Sequence, residues 1–178
     1  MLAVDDRGEP LDGDQILAIL ALSLEVRLVA VTVMTNLGFH RLMGEHGIRV
    51  ETTDVGDRYV VEALRRTGGI LGGEQSGHII YLRDHVTGDG LAAGLLLCAA
   101  LKGRTLREAA AVMPRYPQAQ ESVPVKTKAI PPSLLAEVER MNADLAEGGR
   151  ILVRPSGTEP VVRVLAETED FQESTSIC

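Results

Sequence analysis

The sequence predicts a layered α/β domain over residues 1–113 followed by a small α+β domain over residues 118–178. Three observations carry this reading. Strand-like apolar runs alternate with helix-like segments as far as Met113, the pattern of layered α/β domains. Pro114 and Pro117 then interrupt regular structure. Beyond them a single helical stretch lies among strand-like runs. A chain of 178 residues with 45% hydrophobic residues can bury a real core. Its net charge of −7 argues against a general binder of nucleic acid or of anionic membranes, while leaving room for a local basic pocket. No apolar run reaches membrane-spanning length, since Ser23, Glu25 and Lys102 interrupt the longest, and no basic segment precedes an apolar core at the start. The expected location is the cytoplasm. Cys98 and Cys178 are too few and too scattered for a disulfide framework or a zinc site.

Taken in order, residues 1–4 read as a strand and Asp5-Asp6-Arg7-Gly8 as a polar turn. Asp14 is expected to cap an apolar helix over 15–24, which is preferred over a metal site built from Asp12 and Asp14. The Val-rich run 28–34 is a buried strand. Thr35 or Asn36 then caps a helix with Phe39, Leu42, Met43 and His46 on one side, stopped by Gly47. Residues 48–52 form the next strand, 54–58 a polar connection, and 59–66 a helix ended by Gly68-Gly69. Residues 70–73 and 79–82 are strands around a polar loop, and Asp89 caps a helix over 91–101. Thr105 and Glu108 form a capping box for a short helix to Met113. In the second domain the sequence predicts a strand over 123–128, a helix over 134–145, and strands over 151–153 and 161–166. Residues 169–178 do not read as a helix.

Two loops concentrate chemistry. Arg154-Pro155-Ser156-Gly157-Thr158-Glu159-Pro160 combines a guanidinium fork, two hydroxyls and a glycine between two strands, and every donor suits an oxyanion. As residues alone, an ordinary hairpin turn explains the stretch equally well. In Gly73-Glu74-Gln75-Ser76-Gly77-His78, Glu74 can accept bonds from neighbouring hydroxyls, Ser76 can donate or accept, and His78 can bond an oxygen or shuttle a proton. A turn with an incidental histidine is the plainer account of that stretch. Arg58, at the start of a helix, fits a substrate contact and a surface ion pair about equally.

The first loop, with the Val161-Val162-Arg163-Val164 run after it, resembles the phosphate-binding loop of the α-D-phosphohexomutases. The second resembles that family's sugar-binding loop, and Val33-Met34-Thr35-Asn36-Leu37-Gly38 and Val55-Gly56-Asp57-Arg58-Tyr59-Val60 are similar to its flanking segments. The resemblance covers most of the chain, residues 2 to about 167, and corresponds to the last two of the family's four domains. It implies that the second domain holds a small antiparallel sheet backed by helices. It also implies substrate binding by Glu74, Ser76, His78, Gly56 and Arg58, and phosphate binding by Arg154, Ser156, Gly157, Thr158 and Arg163. The implied reaction moves a phosphoryl group between O6 and O1 of a hexosamine phosphate, through a phosphoserine and a sugar bisphosphate intermediate. Gln75 and the Arg-Pro-Ser-Gly-Thr-Glu-Pro form fit the glucosamine branch.

Family members use Mg2+ in an acidic loop. That loop and the phosphoserine belong to earlier domains, so the resemblance assigns this chain no magnesium site and no catalytic nucleophile, leaves His78 as a candidate proton shuttle, and makes the missing N-terminal domains its partner. The chain is therefore expected to recognise substrate without turning it over. The alternatives are a stand-alone sugar-phosphate-binding module, a non-functional fragment, or a phosphomannomutase or phosphoglucomutase of the same family.

Overall fold

The computed structural model describes residues 1–83, 85–146 and 148–178. They fall into two compact units, Met1–Arg115 and Tyr116–Cys178. In the first, β1 (Ala3–Val4) and β2 (Pro10–Leu11) form a small antiparallel ribbon, followed by α1 (Gly13–Ser23), β3 (Leu28–Thr32), α2 (Leu37–Glu45), β4 (Arg49–Thr53), α3 (Asp57–Thr67), β5 (Leu71–Gly73), β6 (Ile79–Tyr81), α4 (Gly90–Leu101) and α5 (Leu106–Ala110). The main sheet runs β4-β3-β5-β6, with β3 parallel to both β4 and β5 and β6 antiparallel at the edge.

Every residue of β3 is buried, because side chains alternate between two covered faces. Val29 and Val31 join Ile16, Leu17, Leu20, Phe39, Met43, Leu71 and Ile79 in the larger core. Leu28 and Ala30 join Val60, Ala63, Leu64 and Ile80 of the smaller core beneath α3. The unit is thus three layers, α/β/α. Helix α4 buries Ala93, Leu97 and Ala100 at helical spacing.

The cap of α1 differs from the expectation. Asp12, not Asp14, is the N-cap, accepting from the Gln15 backbone N–H at 3.0 Å while the Gln15 side chain accepts from the Asp12 N–H at 3.2 Å. The three-residue spacing of Asp12 and Gln15 permits this reciprocal pair. Asp14 is the second residue of the helix, is fully buried, and accepts from the Asn36 N–H at 2.8 Å, tying α1 to the entry of α2. Asn36 caps α2 by accepting from the Gly38 N–H at 3.1 Å.

The second unit comprises β7 (Gln118–Pro124), α6 (Pro132–Leu145), β8 (Gly149–Pro155), β9 (Val161–Thr168) and α7 (Phe171–Ile177), with an antiparallel sheet in the order β7-β9-β8. β7 begins at Gln118 and ends at Pro124, so it starts and stops earlier than the predicted 123–128. Its polar residues are compatible with an edge strand, and Pro124 sits at its end, where a missing N–H costs least. The expectation against a helix after residue 169 is also corrected. Asp170 accepts from the Gln172 and Glu173 N–H groups at 2.7 and 2.9 Å and starts α7. Buried Ser174 then docks that helix by accepting from the Thr168 N–H at 3.0 Å. Helix α6 has no fully buried residue and is held to the β8 edge by Asn142, whose side chain donates to the Ile151 carbonyl at 3.0 Å and accepts from the Ile151 N–H at 2.7 Å.

Candidate functional site

In the first unit the C-terminal ends of β4 and β5 flank that of β3, and the chain leaves β3 to build outward on one side before returning on the other. This switch in strand order falls at the strand ends, the usual place for a ligand in such sheets. Gly56 follows β4 and Glu74 follows β5. The structure joins them: the Gly56 N–H donates to Glu74 Oε1 at 3.0 Å, eighteen residues apart in sequence. Gly56 has φ 135°, a conformation that a side chain would strain, so the glycine is what aims this N–H.

Glu74 is only 7% exposed, and its second oxygen, Oε2, lies 3.0 Å from His78 Nδ1. A carboxylate only accepts, so Nδ1 carries the proton, and Nε2 accepts when the ring is neutral and donates when it is protonated. The His78 side chain is 66% exposed, which leaves Nε2 open to a ligand. Each Glu74 oxygen has one protein donor and retains a lone pair for a hydroxyl. Ser76 Oγ lies 3.3 Å from the same Nδ1. One N–H pointed at Glu74 cannot also take the serine proton, so the Glu-His-Ser trio is not a nucleophile triad of the kind in which opposite ring nitrogens serve acid and serine. The trio is built to present acceptors and a hydroxyl.

This loop is seated on the start of α1, where the Gly13 N–H donates to the Gln75 carbonyl at 2.9 Å. A β-carbon on Gly13 would come within 2.0 Å of the Glu74 carbonyl oxygen and 2.8 Å of the Gly77 nitrogen. Gly13 is a site-shaping residue that sequence reasoning missed; a glycine inside the Leu11-Asp12-Gly13-Asp14 turn gives no local sign of its distant neighbour. Arg58 forms no ion pair among the described residues. Its guanidinium stacks 4.5 Å over the Tyr59 ring and donates to Tyr59 Oη at 2.9 Å, on the first turn of α3 beyond Gly56.

In the second unit, residues 156–160 close the β8–β9 hairpin, with the Ser156 N–H donating to the Val161 carbonyl at 3.0 Å. Ser156 is 4% exposed, and its Oγ accepts from the Glu159 N–H at 3.2 Å, so this hydroxyl shapes the turn while its own proton remains available to a ligand. Gly157 and Thr158 are exposed. Among the described residues, none beyond its two chain neighbours lies within 4 Å of a β-carbon built on Gly157, which leaves open space above the loop backbone. Arg154 and Arg163 are register partners and point to the same face of the sheet. Like charges placed opposite one another repel, and Glu159 offsets one of them by pairing with Arg163 at 2.6 Å. Lys128, also missed from the sequence, which places it at the end of a strand, lies beyond β7 and donates from Nζ to the Ser156 carbonyl at 2.7 Å. Gly56, Glu74, Ser76 and His78 are thus brought together in one unit, and Arg154, Ser156, Gly157, Thr158 and Arg163 in the other.

Among the described residues, no group of three or more His, Cys, Asp or Glu side chains is placed to hold a metal ion, and no helix is long and apolar enough to cross a membrane.

Residues 12–116 match the phosphoglucomutase/phosphomannomutase α/β/α domain III, and residues 106–178 match the C-terminal domain of the same family. The chain is 52% identical over 179 residues to the phosphoglucosamine mutase of Frankia alni, with 94% of this chain and 39% of that protein covered. It is 48% identical over 190 residues to that of Streptomyces coelicolor, covering 99% and 41%. It therefore spans about 40% of the length of these curated relatives. Among solved structures, Aspergillus fumigatus N-acetylphosphoglucosamine mutase in complex with GlcNAc-6P and magnesium superposes with a TM-score of 0.81 at 22% identity, over 99% of this chain and 44% of that one, which shows a shared fold. The chain belongs to the phosphoglucomutase/phosphomannomutase family, of which it carries the α/β/α domain III and the C-terminal domain.

Proposed function

We propose that this chain supplies the substrate-recognising part of a phosphoglucosamine mutase, a cytoplasmic enzyme that interconverts glucosamine 6-phosphate and glucosamine 1-phosphate. The observation that carries the reading is the Glu74 carboxylate, nearly buried yet held by Gly56 and His78 with acceptor capacity left for hydroxyls. Identity of about half to proteins of that name supports the choice of substrate. In this reading Glu74, Ser76 and His78 Nε2 grip the sugar hydroxyls, and Arg58 lies beside them on α3. The 154–158 loop, with Arg163 at its edge, holds the phosphate that is not reacting. Holding the unreacting phosphate in this loop leaves the opposite oxygen for transfer, and a sugar bisphosphate intermediate offers the loop its other phosphate after it turns round.

The transfer step itself calls for a nucleophile. Among the described residues, Ser76 shares the imidazole it meets with Glu74, and Ser156 Oγ meets a backbone donor and no base, so neither is set up to attack phosphorus. The fungal relative's complex contains magnesium. The described residues here include no such group of metal ligands. The chain alone is accordingly assigned binding without turnover, with turnover requiring the family's other domains.

Calorimetric or NMR titration with glucosamine 6-phosphate and with glucosamine tests the reading. Arg154→Ala should cost the phosphorylated ligand about 1.5–3 kcal/mol, the usual worth of a charged hydrogen bond, and leave glucosamine unaffected. Glu74→Gln should weaken both ligands. Equal effects of Arg154→Ala on the two would overturn the assignment of the phosphate loop. Magnesium-dependent mutase turnover by the purified chain would overturn the assignment of binding alone.

A further inference from the structure

We propose that Lys128 is a second cation of the 154–158 loop and gives it a preference for the phosphate dianion over the monoanion. This rests on the reading of that loop as a phosphate site. Two ties bring the segment after β7 alongside the loop: the Val125 N–H donates to the Pro160 carbonyl at 3.0 Å, and Lys128 Nζ donates to the Ser156 carbonyl at 2.7 Å across 28 residues. The second fixes an ammonium at the base of the loop, beside the exposed backbone of Gly157 and Thr158.

An ammonium has three N–H donors, and the Ser156 carbonyl takes one. Among the described residues Lys128 has no carboxylate partner, in a chain where acids outnumber bases 25 to 18. The other charge available on this side is already offset, since Arg163 pairs with Glu159 at 2.6 Å. The Ser156 hydroxyl carries no charge and is held by the Glu159 N–H. A phosphate monoester holds close to two negative charges at pH 7, with its second ionisation near pH 6. Lys128 is placed to answer one of those charges.

The alternative is that Lys128 only props the Ser156 carbonyl, and pH separates the two roles. The 178-residue chain is titrated with glucosamine 6-phosphate at pH 5 and at pH 8, following the amides of residues 156–159 by NMR. The proposal expects the parent to bind more tightly at pH 8. Lys128→Gln should lose about ten-fold or more at pH 8, as expected for a charged hydrogen bond, and much less at pH 5. Lys128→Arg should retain the pH preference. Lys128 is exposed, and undisturbed amide shifts elsewhere will show that the variants fold. Equal losses at both pH values, or none at either, overturn the proposal while a loss in Arg154→Gln at both pH values upholds the loop itself. No saturable shift in the parent, or an Arg154→Gln variant that binds like the parent, overturns the loop reading and this inference with it.

Discussion

Gly13→Ala is a sharp test of how the sugar loop is held. The new β-carbon would stand 2.0 Å from the Glu74 carbonyl oxygen, whereas ordinary contact begins at 3.4 Å, so the loop or the first turn of α1 must give by 3.4 − 2.0 = 1.4 Å. Both groups are backbone, and the Gly13 N–H is bonded to Gln75 at 2.9 Å, so no flexible side chain can absorb the movement. Alanine is the better helix former by roughly 0.5–1 kcal/mol, which opposes the clash. Overpacking of a rigid contact costs about 1–3 kcal/mol, leaving a net loss of up to about 2.5 kcal/mol. The same displacement separates Glu74 from the Gly56 N–H. Urea unfolding should therefore show a lower midpoint, and the Gly56 and Gln75 amide resonances should move together. A variant as stable as the parent, or more so, with both amides unmoved would refute the seating of this loop on α1.

Gly157→Ala should leave the melting temperature within about 1–2 °C of the parent, because its β-carbon meets no described residue beyond its two chain neighbours, yet weaken phosphate binding by occupying the space over the loop; calorimetry and titration together check it. Asn142→Ala should destabilise the second unit by about 1–3 kcal/mol, since it removes both bonds to the Ile151 backbone and leaves that N–H and carbonyl without them; denaturant unfolding reads the loss. The Ala92 N–H holds the Asp89 carboxyl below the usual aspartate range; desolvation opposes it, and the Leu91 N–H adds a smaller lowering. A depressed folded pKa means that its stabilisation is present above the unfolded pKa and lost as pH falls through the folded one. Asp89→Ala should thus lower the melting temperature at pH 7, with the gap to the parent narrowing on acidification; a gap that widens toward acid would contradict this origin.

Local periodicity and capping chemistry determined most of the element order, because they depend on neighbours within a few residues. The alternation from β3 to β5, the capping box at Thr105 and Glu108, and the Asp89 cap were all legible in this way. So were the two polar loops, since a cluster of Gly, Ser, Thr, Arg and Glu between apolar runs is visible without a fold. Local signals failed where two caps competed or where a helix is held from outside. Asp12 and Asp14 are both good capping residues, and only the packing of α1 on the entry of α2 assigns Asp14 to the Asn36 N–H. Helix α7 is short and polar by sequence, and its docking through Ser174 onto Thr168 is a tertiary contact. The roles of Gly13, Gly56 and Lys128 were decided by structure alone, because each acts on a group 18 to 62 residues away. The sequence supplied the polar groups of the two loops, whereas the parallel order β4-β3-β5 brought Gly56 to Glu74 and the end of β7 brought Lys128 to Ser156, contacts that chain proximity cannot specify.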